Sequence, residues 1–220
     1  MKCKLPSTIW RALSQNSLFL TCTFFGSILL KPLKVKLFTF SQQTLVSSKY
    51  LKIPQTQGES GLFTYFAEQL DPSLSWQDLE WLQSITKLPV IIKGILRGDD
   101  AKKAINYGAK AIIVSNHGGR QLDGAISTID ALSEVVETVG DQTEILIDGG
   151  IRRGTDILKC LALGAKAVLV GRPILWGLAV NGHAGVNHVL ELLREELDIA
   201  MALSGCAKIA DIDRSLVVIP

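Results

Sequence analysis

Four short apolar runs recur in the second part of this sequence, and their spacing restricts what the chain can fold into. The runs lie about 22, 33 and 23 residues apart, with centres near Ile91, Ile113, Leu146 and Leu169, and this spacing suits strand–loop–helix units. They are continuously apolar rather than alternating, which is typical of strands buried on both faces of a parallel sheet. Amphipathic stretches predict a helix that ends near Ile85 and a final helix over Val186–Leu203. The pattern therefore predicts an α/β fold with a parallel sheet.

Two of the predicted strands are preceded by nearly the same join. Gly108-Ala109-Lys110-Ala111 and Gly164-Ala165-Lys166-Ala167 have the same four residue types in the same order. In each join we expect glycine to end a helix and the strand to begin two or three residues later. The repeat supports a chain built from successive, similar units.

The loop after the second run, Ser115 to Asp123, carries residues suited to acid–base chemistry and anion binding. His117 can accept or donate a proton near neutral pH. Arg120 offers a planar fork of donors that matches a carboxylate. Two intervening glycines permit a sharp turn and the close approach of a planar ligand. The alternative is an ordinary polar loop between a strand and a helix.

Two further glycine-rich loops follow the last two runs. Asp148-Gly149-Gly150-Ile151-Arg152-Arg153-Gly154 comes after one strand, and Gly171-Arg172-Pro173 comes after the next. Glycine backbone N–H groups, arginine charge and a helix N-terminus all favour an anion. In (β/α)8 barrels a phosphate site is often formed by the loops after the last two strands. The pair of loops therefore predicts a phosphate site, although a single loop of this kind is commonly only a structural turn.

These stretches resemble the FMN-dependent α-hydroxy acid oxidases and dehydrogenases, the family of glycolate oxidase and lactate oxidase. The resemblance rests on Ser115–Asp123, Asp148–Gly154 and Gly171–Pro173, with further similarity in Leu88–Ile95 and Met201–Cys206. It implies that the four runs are strands five to eight, the C-terminal half of a TIM (β/α)8 barrel, with an unrelated N-terminal segment. It also implies a cofactor, FMN, and the oxidation of small L-2-hydroxy acids such as glycolate or lactate to 2-oxo acids. O2 or another acceptor would then reoxidise the flavin.

The resemblance also implies roles for individual residues. His117 would be the catalytic base and contact the substrate, and Arg120 would bind the substrate carboxylate. Lys93 would place a positive charge where negative charge builds on the reduced flavin. The other expected cofactor-binding residues are Ser115, Asp148, Gly149, Gly150, Ile151, Arg152, Gly171 and Arg172. Because like charges repel, Asp148 is expected to contact a ribityl hydroxyl rather than the phosphate.

The resemblance predicts two segments, an atypical residue range 1–57 and a half-barrel over residues 58–220. No motif of the family's first four strand–helix units is found. The leading interpretation of residues 1–57 is a replaced or misassigned N-terminus, and the alternative is a membrane-associating or targeting segment around the apolar stretch Leu18–Leu30. The alternative function is accordingly that of a catalytically inactive fragment that at most binds flavin or a partner. If the barrel is complete, a homo-oligomer is expected.

Charge and cysteine usage exclude several other classes. The chain has 23 Lys and Arg and 21 Asp and Glu, unevenly distributed. Residues 1–58 hold eight basic residues and no acidic ones, so the remaining chain holds 15 basic and 21 acidic residues. The basic residues form no dense run, so nucleic acid is not an expected partner. The four cysteines lack the spacing of a zinc site or a disulfide framework, and we expect no metal and a cytoplasmic location. An IMP dehydrogenase-like barrel is disfavoured because that class needs a loop cysteine, whereas Cys160 and Cys206 are predicted in helices.

Overall fold

The computed structural model describes residues 20–23 and 73–218. In these residues five parallel strands form one sheet in chain order, so each strand pairs with its neighbours in sequence. The strands are β1 (Leu20–Thr23), β2 (Val90–Ile95), β3 (Ala111–Val114), β4 (Glu144–Asp148) and β5 (Ala167–Leu169). The helices are α1 (Asp78–Ile85), α2 (Gly98–Asn106), α3 (Thr128–Val139), α4 (Gly154–Ala162) and α5 (Arg172–Leu203), and two short 3-10 turns follow, Ile209–Asp211 and Arg214–Leu216. The predicted parallel α/β sheet is confirmed.

Strand β1 was not expected from the hydrophobic pattern. It lies in the apolar stretch of the N-terminal segment and pairs in parallel with β2, with Leu20 opposite Val90. It lies outside the regular spacing of the four apolar runs from which the other strands were predicted. The other predictions for residues 1–57 lie outside the described residues. The half-barrel and the boundary between residues 57 and 58 stay predictions.

The two repeated joins form the same structure. Gly108 and Gly164 have φ angles of +87° and +104°, which glycine adopts readily at the end of a helix. In each join the alanine after glycine donates its N–H to a carbonyl five residues earlier, at 3.0 and 3.1 Å. The lysine that follows donates to the neighbouring strand, at 2.8 Å for Lys110 and 2.7 Å for Lys166. The joins thus end a helix and set the register of the next strand together.

The sheet buries a different set of side chains on each face. Because successive side chains point to opposite faces, one face packs against the helices through Val90, Ile92, Ile112, Val114, Ile145 and Ile147. The other face carries a smaller cluster of Ile91, Ala111 and Ile113, with Leu146 and Leu169 packed against it. All four residues of β3 are buried, as expected for a central parallel strand.

The last helix is longer than predicted and changes direction. It runs over Arg172–Leu203, but Asn181 and Gly182 leave helical geometry and divide it. The two parts fold back on each other so closely that a Cβ at Gly185 would lie 2.0 Å from the Gly177 carbonyl oxygen. The predicted Val186–Leu203 helix is the second part. Cys206 lies just beyond the helix rather than in it, and it is buried.

Within residues 20–23 and 73–218, no helix is both long enough and apolar enough to cross a bilayer.

Candidate active site

Three polar side chains converge at the carboxyl ends of the central strands. Lys93 lies in β2, Ser115 directly follows β3, and Asp148 ends β4. Each of the three follows a member of the smaller apolar cluster by two residues. The cluster members are, in the same order, Ile91, Ile113 and Leu146. Because side chains alternate between the two faces of a sheet, all three side chains lie on the same face as this smaller cluster, beside its apolar side chains.

Lys93 holds this group together across β3. Its Nζ lies 2.5 Å from Asp148 Oδ2, and the two side chains are 15% and 19% exposed. The same Nζ donates a hydrogen bond of 2.5 Å to Ser115 Oγ. Ser115 is 2% exposed, and its Oγ also accepts the His117 backbone N–H at 3.1 Å. A largely desolvated cation thus links two strands and the start of the His117 loop.

The loop between β3 and α3 is shaped by an asparagine. Asn116 Oδ1 accepts the backbone N–H groups of Gly118 and Gly119, at 3.0 and 3.2 Å. Its Nδ2 donates to the Ile126 carbonyl at 3.2 Å. This is an Asx-turn, in which the side chain replaces a backbone partner. Ser127 then caps α3 by accepting the N–H of Asp130 at 3.4 Å.

His117 is held in an unusual backbone conformation. Its φ is +57°, and it is the non-glycine residue with a left-handed conformation in the described residues. Such a conformation costs roughly 1 kcal/mol for an ordinary residue and is a feature of functional loops. The side chain is half-buried.

The surroundings of His117 suit a proton acceptor. Burial lowers the pKa of its imidazole below 6.5, and the positive charges of Lys93 and then Arg120 lower it further, whereas Asp148 acts in the opposite direction. A lowered pKa keeps the ring neutral at neutral pH, and the neutral ring is the form that accepts a proton. Because the charge of Arg120 reaches His117, these two predicted residues share one electrostatic environment. The Arg120 side chain is itself exposed on the loop.

The two carboxylate oxygens of Asp148 differ in their contacts with the described residues. Oδ2 pairs with Lys93, while Oδ1 is buried and receives no hydrogen bond from the described residues. A buried acceptor without a donor is costly, so a ligand hydroxyl would be a favourable partner. Next to it, a Cβ added at Gly150 would meet no atom within 4 Å. Ile151, by contrast, is 3% exposed and packs in the core.

The start of α4, with the two residues before it, is less open to an anion than its sequence suggests. The N–H groups of Arg152 and Arg153 both donate to Asp156 Oδ2 at 2.9 Å. The Gly154 N–H donates to Glu196 Oε2 at 2.8 Å. The Arg152 guanidinium donates to the Ile151 carbonyl at 2.8 Å and lies 4.9 Å from the centre of the Trp176 ring. Protein carboxylates thus occupy the N–H groups of Arg152, Arg153 and Gly154 at the start of α4.

The loop after β5 lies against the His117 loop. Arg172 Nη2 donates to the Gly118 carbonyl at 3.1 Å, although 54 residues separate them. A Cβ added at Gly171 would meet no atom within 4 Å. The structure therefore brings together the loops after β3 and β5, with an open space beside Gly171.

Sequence reasoning missed residues that support the site. Asn116 shapes the His117 loop, and Glu196 satisfies the start of α4 from a distant helix. Asparagine before His-Gly-Gly is a turn signal that could have identified the first. No local signal could identify Glu196, because it lies 42 residues from Gly154.

A parallel α/β sheet with polar groups at the carboxyl ends of its strands defines a small-molecule site of the kind that α/β enzymes use. The particular class follows from comparison with known proteins. The chain belongs to the FMN-dependent dehydrogenase family, whose model matches residues 25–219. The predicted family is confirmed, and with it FMN as the family's cofactor.

Several relatives are oxidases of 2-hydroxy acids by name. An L-lactate oxidase from Nostoc sp. is 67% identical over 165 residues, covering 75% of this chain and 45% of the relative. The 2-hydroxyacid oxidase 1 of Mus musculus is 60% identical over 158 residues, covering 72% and 43%. Among solved structures, a mandelate oxidase with (S)-4-hydroxymandelic acid matches with a TM-score of 0.68 and 49% identity, covering 73% of this chain and 45% of that one. The chain thus spans less than half the length of the relatives it matches.

Proposed function

We propose that this chain provides the cofactor and substrate groups of an FMN-dependent oxidase of small L-2-hydroxy acids, such as glycolate or lactate. The observation that carries the proposal is the cluster of Lys93, Ser115 and Asp148 beside His117, at the carboxyl ends of neighbouring strands. The named oxidases that are 53–67% identical support the same reaction class. The product would be the corresponding 2-oxo acid.

The residues present fit FMN. The ribityl chain carries hydroxyl donors, and Asp148 Oδ1 is a buried acceptor that receives no donor from the described residues. The space beside Gly150 and Gly171 leaves their backbone open to a ligand, and Arg172 supplies positive charge beside Gly171. Because Asp156 and Glu196 already accept the backbone N–H groups at and just before the start of α4, we expect the phosphate nearer to Gly171 and Arg172.

The reaction assigns separate tasks to two side chains. Arg120 binds the substrate carboxylate through its planar fork of donors. His117 accepts a proton from the substrate as the α-carbon loses two electrons, and its lowered pKa keeps it neutral before that transfer. FMN, when bound, supplies the two-electron acceptor, and O2 or another oxidant restores it. Lys93 would provide a fixed positive charge where negative charge builds on the flavin as it is reduced.

The test begins with the cofactor. The purified chain is mixed with FMN, and bound flavin is measured by its visible absorbance after gel filtration. Turnover of glycolate and lactate is then followed through the 2-oxo acid produced. His117→Gln should bind FMN as the parent protein does and lose at least about 10²-fold in turnover. A parent protein that retains no flavin would refute the proposal for this chain.

A second function is favoured by the length comparison. Since the chain spans 43–45% of its relatives, it could bind flavin or a partner without turning over substrate. The same experiment separates the two: flavin binding without any 2-oxo acid supports this second function. Turnover that His117→Gln abolishes excludes it. The homo-oligomer expected for a complete barrel stays a prediction that gel filtration would check.

A further inference from the structure

We propose that Asn116 positions His117 for proton transfer by holding the loop between β3 and α3 in one closed conformation. The inference rests on the proposed function, because it concerns the base of that reaction. Asn116 is a positioning residue in this proposal, since its amide neither titrates nor needs to touch the substrate.

The hydrogen bonds of Asn116 reach both ends of the loop. At the start, its Oδ1 accepts from Gly118 and Gly119 at 3.0 and 3.2 Å. At the far end, its Nδ2 donates to the Ile126 carbonyl at 3.2 Å. One side chain therefore fixes the turn that follows His117 and also closes the loop over ten residues.

These hydrogen bonds lie on both sides of His117, whose backbone has an unfavourable conformation. His117, between Asn116 and Gly118, has a φ of +57°, and a non-glycine residue keeps such a conformation only where its surroundings over-determine it. The His117 N–H is bound to Ser115 Oγ, and the Gly118 carbonyl accepts from Arg172. Asn116 is the member of this network that binds the loop on both sides, so its loss should release the imidazole from its place.

The electrostatic setting gives this release a measurable consequence. The charged groups that act on His117 are Lys93 from β2, Asp148 from β4 and Arg120 from the same loop, and Arg172 from the start of α5 contacts the loop backbone. Burial has the largest effect and lowers the pKa, and both cations add to it. If the loop opens, the ring gains water and moves away from Lys93, so its pKa should rise towards 6.5.

The experiment compares Asn116→Ala with Asn116→Ser and with the control Asn106→Ala. Serine can still accept a backbone N–H two residues on but cannot reach Ile126. Asn106 lies exposed at the end of α2, so its replacement makes the same chemical change away from the loop. Histidine ring signals of the 220-residue chain are followed by NMR during a pH titration, and His117→Gln identifies the His117 signal among three.

We expect the pKa of His117 to rise in Asn116→Ala, to rise less in Asn116→Ser and to stay unchanged in Asn106→Ala. In the FMN-loaded protein, kcat should fall about tenfold to a hundredfold in Asn116→Ala, as for a misplaced catalytic group, with an FMN dissociation constant within about twofold of the parent. A merely structural role would lower the denaturation midpoint without moving the His117 titration.

An unchanged His117 titration in a folded Asn116→Ala protein would overturn the proposal. If that variant does not fold, Asn116→Ser decides in the same way. If the parent protein shows no turnover of 2-hydroxy acids, the proposed function fails, but the titration still shows whether Asn116 controls the surroundings of His117.

Discussion

Replacing Lys93 with methionine tests the electrostatic centre of the site. Methionine keeps most of the length of the side chain and removes its charge. In the parent protein, Lys93 Nζ contacts both Asp148 Oδ2 and Ser115 Oγ. The substitution therefore leaves a mostly buried carboxylate without its cation and Ser115 with one hydrogen bond fewer.

The expected loss of stability follows from the burial of the pair. Removing one partner of a fully buried pair destabilises a protein by about 3–5 kcal/mol, whereas an exposed pair contributes about 0–1 kcal/mol. The Lys93 and Asp148 side chains are 15% and 19% exposed, so water screens the pair only in part. We therefore expect the free energy of unfolding to fall by roughly 2–3 kcal/mol, closer to the buried limit.

The assay is urea unfolding of the flavin-free protein, because bound FMN would itself add stability. The control is Arg97→Met, which removes a cation from the Arg97–Asp99 pair, whose side chains are 69% and 51% exposed. That variant should change stability by less than about 1 kcal/mol. Adding Asp148→Asn to Lys93→Met should recover at least about 1 kcal/mol through coupling between the two sites. The reasoning is refuted if Lys93→Met and Arg97→Met lose equal stability.

Three further outcomes are expected. Because the pKa of His117 is lowered, its neutral form persists below pH 6.5, and kcat/KM should begin to fall only below that pH. The stability that the neutral ring contributes is present above pH 6.5 and should be lost as the pH falls through the lowered pKa. A fall of kcat/KM that begins at or above pH 6.5 would contradict this assignment. Arg120→Lys keeps the charge but not the planar fork, so KM for lactate should rise about tenfold or more while FMN binding is unchanged; an unaltered KM would remove Arg120 from the substrate site. Burial raises the pKa of the Cys160 thiol to about 12, so peptide mass mapping should find Cys160 unalkylated at pH 8 until urea unfolds the protein, and rapid labelling of the native protein would show that α4 is not packed as described.

Local patterns were sufficient to identify most of the framework. All four predicted strand centres lie in strands β2 to β5. Short, continuously apolar runs between glycine-rich loops are typical of parallel strands that are buried on both faces. The motif loops were placed correctly at the carboxyl ends of these strands. Strand β1 was missed because it lies outside the regularly spaced apolar runs. The first part of α5 was missed because the helix is interrupted at Asn181 and Gly182.

The residues of the site were easier to name than their partners. His117, Arg120, Lys93 and Asp148 were named through the resemblance of the stretches that contain them, and their roles stay predictions. The expectation that the start of α4 faces an anion did not allow for Asp156 and Glu196, which occupy its N–H groups. Whether a backbone N–H is available depends on every group that folding brings near it, and Glu196 reaches Gly154 only through the packing of α5 on α4.

The amino-acid sequence by itself determined the parallel strands, the glycine-ended helices and the chemical types present in each loop, because hydrophobic period and turn chemistry act between near neighbours. The tertiary structure alone decided that Lys93 pairs with Asp148 across β3 and that Arg172 reaches Gly118. These contacts depend on strand register and on the path of the chain between strands. They place on one side of the sheet groups that lie tens of residues apart, and only the folded chain shows that arrangement.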